Sequence, residues 1–426
     1  MTTLEDHTRH HAERDDCTQN LMRPPPVPLA WKNLAHDKVR FALFASGIGF
    51  AVVLMGVQYG IMNAMLDSNT VLIQRLKGEI VLINPNKASL LFREGVSRRR
   101  VAEAEGVAGV RSVTPVYAEY ATASLRHTAN DPAARTGTRR VRVIGVDPNA
   151  DALDLPGVSA KDWQELNTPG TALYDRKSRA HPDQVNHRGE TVFGKLEPGA
   201  RTELAGRDIR LVAGFEMGFD FGTDGSVVVS DRTFEKWVRE PYYPAEPMAE
   251  CDIGLVKLQP GADVNAVKAA LQKKFAEGGD VLVLTRDEMV SREKSFWWTN
   301  TPIGFAFGAG VLLGFVVGMV ICYQILASDV ADHLPEYATL KAIGYTNRYL
   351  SWIVLQESLI LAVAGFVPGM IVTYATYLAL TEITGLPLIL TPGRFALLLA
   401  LTAVMCVASG LLAVSKVKKV DPADVF

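Results

Sequence analysis

Cysteine is scarce in this chain, four long stretches lack charge, and no nucleotide-binding or catalytic motif is complete. There are 4 cysteines in 426 residues. Cys322 and Cys406 fall in apolar runs and Cys17 in a polar tail, so Cys251 stands alone in the large polar region and no disulfide can staple it. That region must be held by ordinary packing, and a lone cysteine makes a poor metal site. The net charge of −2 gives no strong field toward nucleic acid. Neither an HExxH pair nor a GxSxG elbow occurs. Gly189, Gly194 and Lys195 have the spacing of a phosphate-binding P-loop, but Leu196 replaces the hydroxyl that would hold Mg²⁺, and no apolar strand precedes it. The expectation is therefore no catalytic residue, no metal, no cofactor and no ATP hydrolysis on this chain. His127, His181 and His187 lie in polar, loop-like sequence that reads as surface.

The sequence does contain four charge-free apolar runs, 41–66, 303–327, 358–381 and 395–415. Each has about 21 to 26 residues, enough for a helix to cross a hydrocarbon core of roughly 30 Å. One comes early, about 235 polar residues come next, and three crowd the C-terminal end, so a domain of ordinary size fills the first loop. The expected fold is a membrane protein with four transmembrane α-helices, one plus three, and a large α+β extracytoplasmic domain inserted after the first. A charged tail of about 40 residues before the first run, together with the run's length, argues against a cleaved signal peptide. Lys32, Lys38 and Arg40 before the first run, and Lys416, Lys418 and Lys419 after the last, place both termini in the cytoplasm. Trp297 and Trp298 fall where an interfacial aromatic belt would lie.

The expected organisation is a disordered cytoplasmic tail at 1–28, an N-terminal segment and first span at 29–66, the extracytoplasmic domain at 67–301, and a three-span permease part at 302–426 with a cytoplasmic loop at 329–349. Pro24, Pro25, Pro26 and Pro28 close the tail, in which His7, His10 and His11 cluster. Within the domain, strands are expected at 79–84, 110–125, 140–146, 209–215, 226–229, 251–258 and 281–284, from their β-branched and apolar content. Helices are expected at 97–105, with Arg98, Arg99 and Arg100 exposed, at 231–238 capped by Asp231, and at 264–275. The stretch 147–246, richer in Gly, Pro and charge, is a candidate inserted subdomain.

The apolar runs are dense in small residues. Gly56 and Gly60 repeat at four-residue spacing in the first, Gly304, Gly308, Gly310, Gly314 and Gly318 line the second, and Gly365 and Gly369 mark the third. Such spacing lets helices approach closely in lipid, either across a dimer seam or within one subunit. Glu357 and Glu382 are placed at the ends of the third span, so no polar pathway runs through its middle and energy for transport would have to enter elsewhere. The loop offers an entry point. Residues 333–344 read as a short helix, with Pro335 and Glu336 suited to its first turn, Lys341 to its last and Gly344 to a left-handed cap. Tyr337, Leu340 and Ile343, spaced by three, give an apolar edge that needs a partner or the protein's own helix ends.

These features together resemble a known family. LAWKNL at 29–34, with Val39, Arg40, Gly47 and Ile48, resembles the opening of FtsX/MacB-type ABC transporter permeases. Glu336 through Gly344 resembles their cytoplasmic E-x-x-x-L-[KR]-A-x-G segment. Gln356, Glu357, Gly365 and Gly369 resemble the helix next in order in these permeases, and Asp421-Pro422-Ala423 resembles their closing tail. LKGEIVLINP at 76–85, SRRR at 97–100, VTPVY at 113–117 and LPEYATLKAIGY at 334–345 are similar to DevC-type permeases. The resemblance implies a homodimer in the inner membrane and a separate ABC ATPase subunit that carries ATP and Mg²⁺. That ATPase would dock on Glu336, Tyr337, Leu340, Lys341, Ile343, Gly344 and Tyr345. It also implies a HlyD-like periplasmic adaptor, an outer-membrane tunnel protein and a MacB-like periplasmic core. Export of a lipid, glycolipid or other amphiphile is the function it favours. Mechanical signalling to cell-wall hydrolases, as in FtsX, is the alternative in the same fold, and a membrane-anchored extracytoplasmic enzyme is a third class.

Overall fold

The computed structural model describes residues 38–128, 137–183, 189–241, 246 and 248–418. The tail at 1–28, the 29–34 motif, His187 and the 421–423 motif lie outside the described residues. Two compact units divide the chain. One takes in the described residues up to Gly56, Leu312–Thr373 and those from Thr391 onward; the other takes in Val57–Val311 and Tyr374–Leu390.

Helix α1, Lys38–Arg75, opens the chain and runs well beyond the charge-free stretch inside it. Then come β1 (Ile80–Ile83), β2 (Val96–Ser97), α2 (Arg98–Ala104), β3 (Val110–Glu119), β4 (Ser124–Arg126), β5 (Thr138–Arg140) and β6 (Arg142–Val146). Next are α3 (Ala160–Glu165), β7 (Thr171–Asp175), β8 (Arg201–Leu204), β9 (Arg207–Phe215), β10 (Ser226–Ser230) and α4 (Asp231–Phe234). The domain ends with β11 (Glu250–Cys251), β12 (Ile253–Leu258), α5 (Val264–Phe275), β13 (Leu282–Thr285) and α6 (Arg286–Thr299). The C-terminal helices are α7 (Pro302–Asp332), α8 (Leu334–Ala342), α9 (Asn347–Thr384) and α10 (Pro392–Lys418). Helices α1, α7, α9 and α10 are long and apolar enough to cross a membrane.

An 11-stranded sheet organises the domain, in the order β13-β1-β12-β3-β6-β10-β7-β9-β8-β4-β5. Pairing is antiparallel except for β6 with β10 and β7 with β9, which are parallel. The stretch 147–246 contributes α3 to the domain and β7, β8, β9 and β10 to this same ladder, while β4 and β5, from earlier in the chain, lie at its far edge. Both faces are covered, which is why β1 is apolar at every position rather than alternating. Ile80 and Leu82 point into one core with Val101, Tyr117, Val143, Phe234 and Leu271. Val81 and Ile83 point into the other with Leu72, Ile73, Leu76, Val116, Ile144 and Met289. The last turns of α1 are thus part of a domain core. The β8–β9 hairpin turns on Ala205 and Gly206, both at positive φ (50° and 77°), as a two-residue turn of this hand requires.

Several local expectations need correction. Ser230, not Asp231, caps α4: its backbone is extended and its hydroxyl accepts from Thr233 N, while Asp231 occupies the first turn. That helix gives way to a π-helical turn at Glu235–Arg239 instead of running on to 238. The strand expected at 110–125 is two strands, and the one expected at 251–258 is β11 and β12. Trp297 is not a belt residue. It is 5% exposed, and its indole N–H donates to Glu293 at 2.9 Å; only Trp298 is exposed. Arg98 and Arg99 are exposed, but Arg100 is half-buried between Glu103 (3.0 Å) and Asp280 (2.8 Å).

In the other unit, helix packing is set by glycines. A Cβ on Gly365 would lie 2.6 Å from Ile48 Cβ, and one on Gly369 would lie 2.9 Å from the Gly49 carbonyl oxygen, so α1 and α9 touch backbone to backbone. Gly56 meets Thr373 and Gly314 meets Met55; Gly318 meets Ala51 and Met405. Gly60 faces Tyr377 and Gly310 faces Gln58 within the large-domain unit, where Gly304 and Gly308 both face Trp298. Every glycine of the small-residue pattern therefore meets its own chain, and so does Gly49, which the spacing rule passed over.

Candidate functional site

The segment between α7 and α9 is built around α8. His333 precedes the helix, Pro335 sits in its first turn, where a missing N–H costs nothing, and Glu336 faces the positive end of the dipole. Its C-terminus is a complete Schellman motif. Gly344 N donates to Lys341 O and Tyr345 N donates to Leu340 O, both at 3.1 Å, and Gly344 takes φ +105°. The Tyr345 ring leans on Tyr349, with centroids 4.8 Å apart.

The apolar edge does not present one face. Tyr337 is buried with Ala338 next to it, Leu340 is half-buried, and Ile343 is 71% exposed. Three-residue spacing drifts around a helix of 3.6 residues per turn, which turns the first member inward and the last outward. Burial, then the nearby Glu357 carboxylate, pushes the Tyr337 phenol up, and its hydroxyl has no hydrogen-bond partner among the described residues. Glu336 and Gly344 are exposed and Lys341 is half-buried. Glu357 borders the charge-free run, but the helix extends well before it. Because α9 starts at Asn347, Glu357 lies inside the helix and is fully buried. Arg40 of α1 pairs with Asp332 and reaches Ser328 at the end of α7, in the same unit.

The domain carries three buried polar networks that sequence reasoning missed. Asp252 accepts from Lys87 Nζ (3.0 Å), Arg239 Nη2 (2.7 Å) and Ala118 N (2.9 Å), and Lys87 and Asp252 are almost fully buried. Arg142 pairs with Asp220 at 2.9 Å, while Asp175 accepts from Met217 N and Gly218 N. Glu293 accepts from Ser89 Oγ, Leu90 N (3.0 Å) and Trp297 Nε1. Burial raises the Asp175 and Glu293 carboxyls above the ordinary range. These groups are paired within the protein and clamp loops to the sheet. Burial, then Asp252, pushes the Cys251 thiol up to about 12, which leaves it unreactive. The pseudo-P-loop at Gly189–Gly194 is a pair of turns closed by Thr191 and Gly194, with no helix after it. His127 and His181 lie in loops.

The family model of the MacB-like periplasmic core domain matches residues 41–274, more than half of the chain. That of the FtsX-like permease C-terminal region matches residues 308–422. Among solved structures, the chain is similar to the periplasmic region of MacB from Actinobacillus actinomycetemcomitans. The identity is 10%, the match covers 50% of this chain and 92% of that one, and the TM-score is 0.34. It is also similar to the extracellular domain of the noncanonic ABC-type transporter YknZ from Gram-positive bacteria, at 8% identity, 49% and 98% coverage and a TM-score of 0.30. No curated protein matches the chain.

Proposed function

This chain belongs to the FtsX/MacB-type ABC permeases of the inner membrane, and we propose that it passes the motion of a separate ATPase subunit to its large domain in order to export an amphiphile. The ATPase, holding ATP and Mg²⁺, docks on the outward part of α8 and its cap, namely Glu336, Leu340, Lys341, Ile343, Gly344 and Tyr345. Tyr337 anchors that helix from inside. Both termini lie on the ATPase side, and the permease works as a homodimer with a HlyD-like adaptor and an outer-membrane tunnel protein. Because the pattern glycines already meet their own chain, the dimer seam uses other surfaces.

The observation that carries this reading is the continuity of α1. A 38-residue helix spans about 57 Å at 1.5 Å per residue, far more than a membrane crossing needs. It ends with Leu72 and Ile73 fully buried in a domain core. A lever of this kind transmits displacement without a polar conduit. The same lever serves the alternative, mechanical signalling to cell-wall hydrolases. The test is co-purification of the ATPase with Ile343→Asp. Loss of association, with the protein still in the membrane, is expected; retained association would remove the docking assignment. Cargo release from whole cells then separates export from signalling.

A further inference from the structure

The large-domain unit contains a cavity of about 1000 Å³. Its lining divides by chemistry. Met65 lies near the end of the charge-free run of α1, and Ala379 and Ile383 lie around the end of the run in α9. Arg179 and Glu382 supply charge. Phe219 is buried beneath Arg179, whose guanidinium carbon stands 4.5 Å from the ring centroid. Arg179 is steadied by Asp224 through Nε, and its side chain remains 44% exposed. Asp220 also lines the cavity but is committed to Arg142 and is 2% exposed. Among the described lining residues, the exposed full charges are therefore Arg179 and Glu382, with the half-buried imidazole of His181 close in the chain to Arg179. Beside them stand apolar groups facing outward: Phe221 is 58% exposed and Ile383 76%.

A water-soluble anion would leave those apolar groups against water and would meet Glu382. A purely anionic lipid would satisfy Arg179 but not Glu382. The lining is complementary to a headgroup carrying both charges, joined to a chain that runs along the helices toward the hydrocarbon. We infer that this cavity binds a zwitterionic bilayer phospholipid, with its phosphate accepting from Arg179, its ammonium against Glu382 and an acyl chain along Met65, Ala379 and Ile383. The inference goes beyond energy coupling and does not depend on it, because ATPase association is measured separately.

The test is native mass spectrometry of the full chain in detergent, titrated with phosphatidylethanolamine and phosphatidylglycerol of identical acyl chains. The exposed ammonium–carboxylate pair should favour the ethanolamine lipid about fivefold, the upper end for a solvent-accessible pair. Glu382→Lys, at an exposed position, should reverse the preference, and Arg179→Gln should weaken retention of both lipids. Equal retention by the unaltered protein, which would mean an adventitious boundary lipid only, overturns the inference. So does a preference that Glu382→Lys leaves unchanged.

Discussion

If α1 is a lever, its grip on the domain lies in its last turns. Leu72 has no exposed surface and packs with Val81, Ile83 and Ile144 in a domain core, while Gln74, two residues on, is exposed. Leu72→Ala removes a fully buried isobutyl group. Lost transfer energy and the residual cavity together cost about 2–5 kcal/mol. For a domain of this size each kcal/mol shifts the midpoint by about 2–4 °C, so a mid-range loss of about 3 kcal/mol lowers it by roughly 6–12 °C. Gln74→Ala removes an exposed side chain whose amide donates to Thr70 Oγ1 at 3.0 Å, and should cost only about 0.5–1.5 kcal/mol. Thermal unfolding of the purified protein, monitored by protease susceptibility of the domain, reads both. A lever further requires that Leu72→Ala uncouple ATPase stimulation while membrane insertion is unaffected. Equal small shifts for the two variants would show that α1 merely passes the core, and the reasoning would fail.

Other outcomes rest on particular residues. Tyr337→Phe deletes a buried hydroxyl that lacks a partner among the described residues, so it should leave stability unchanged or raise it by about 1 kcal/mol in thermal unfolding. Gly344→Val forces a β-branched residue to φ +105° and should cost about 1–3 kcal/mol locally, seen as faster amide exchange across α8. Glu293 has a raised folded-state value because it is buried, so its contribution is complete below the unfolded value near pH 4 and is lost as pH rises through the folded value. The fall in midpoint between pH 5 and pH 8 should therefore be shallower in Glu293→Gln than in the unaltered protein; an equal or steeper fall would contradict the assignment.

The spans and the buried strands were readable because each announces itself locally. A charge-free run of more than twenty residues has one stable setting, and a short apolar run such as 80–83 fits a strand covered on both faces. Helix α5 was expected at 264–275, just after the Pro260-Gly261 turn, and forms there; Asp263, which accepts from Asn265 N, is its cap. Helix α6 was not, because it is mostly polar; its signal was the capping box formed by Thr285 and Glu288, just before the second span. The order of the sheet is a non-local property, and nothing near Thr171 or Ser226 says that β7 and β10 lie side by side. The same holds for Asp252, whose partners Lys87 and Arg239 are far apart in the chain. Trp297 was misplaced because the sequence shows an aromatic beside a span but not that Glu293, one turn earlier, accepts its N–H. For the loop helix, the cap and the dipole partners were legible from neighbouring residues, while the inward turn of Tyr337 depended on packing that only the folded chain supplies.

The most direct test of the central claim is crosslinking at Ile343. A photoreactive side chain placed at this exposed position, in membranes containing the whole assembly, should join the chain to a P-loop ATPase subunit, and the yield should change when ATP is added. A robust crosslink to lipid or to the chain's own helices alone, with the ATPase present and bound elsewhere, would contradict the claim that α8 is where energy enters.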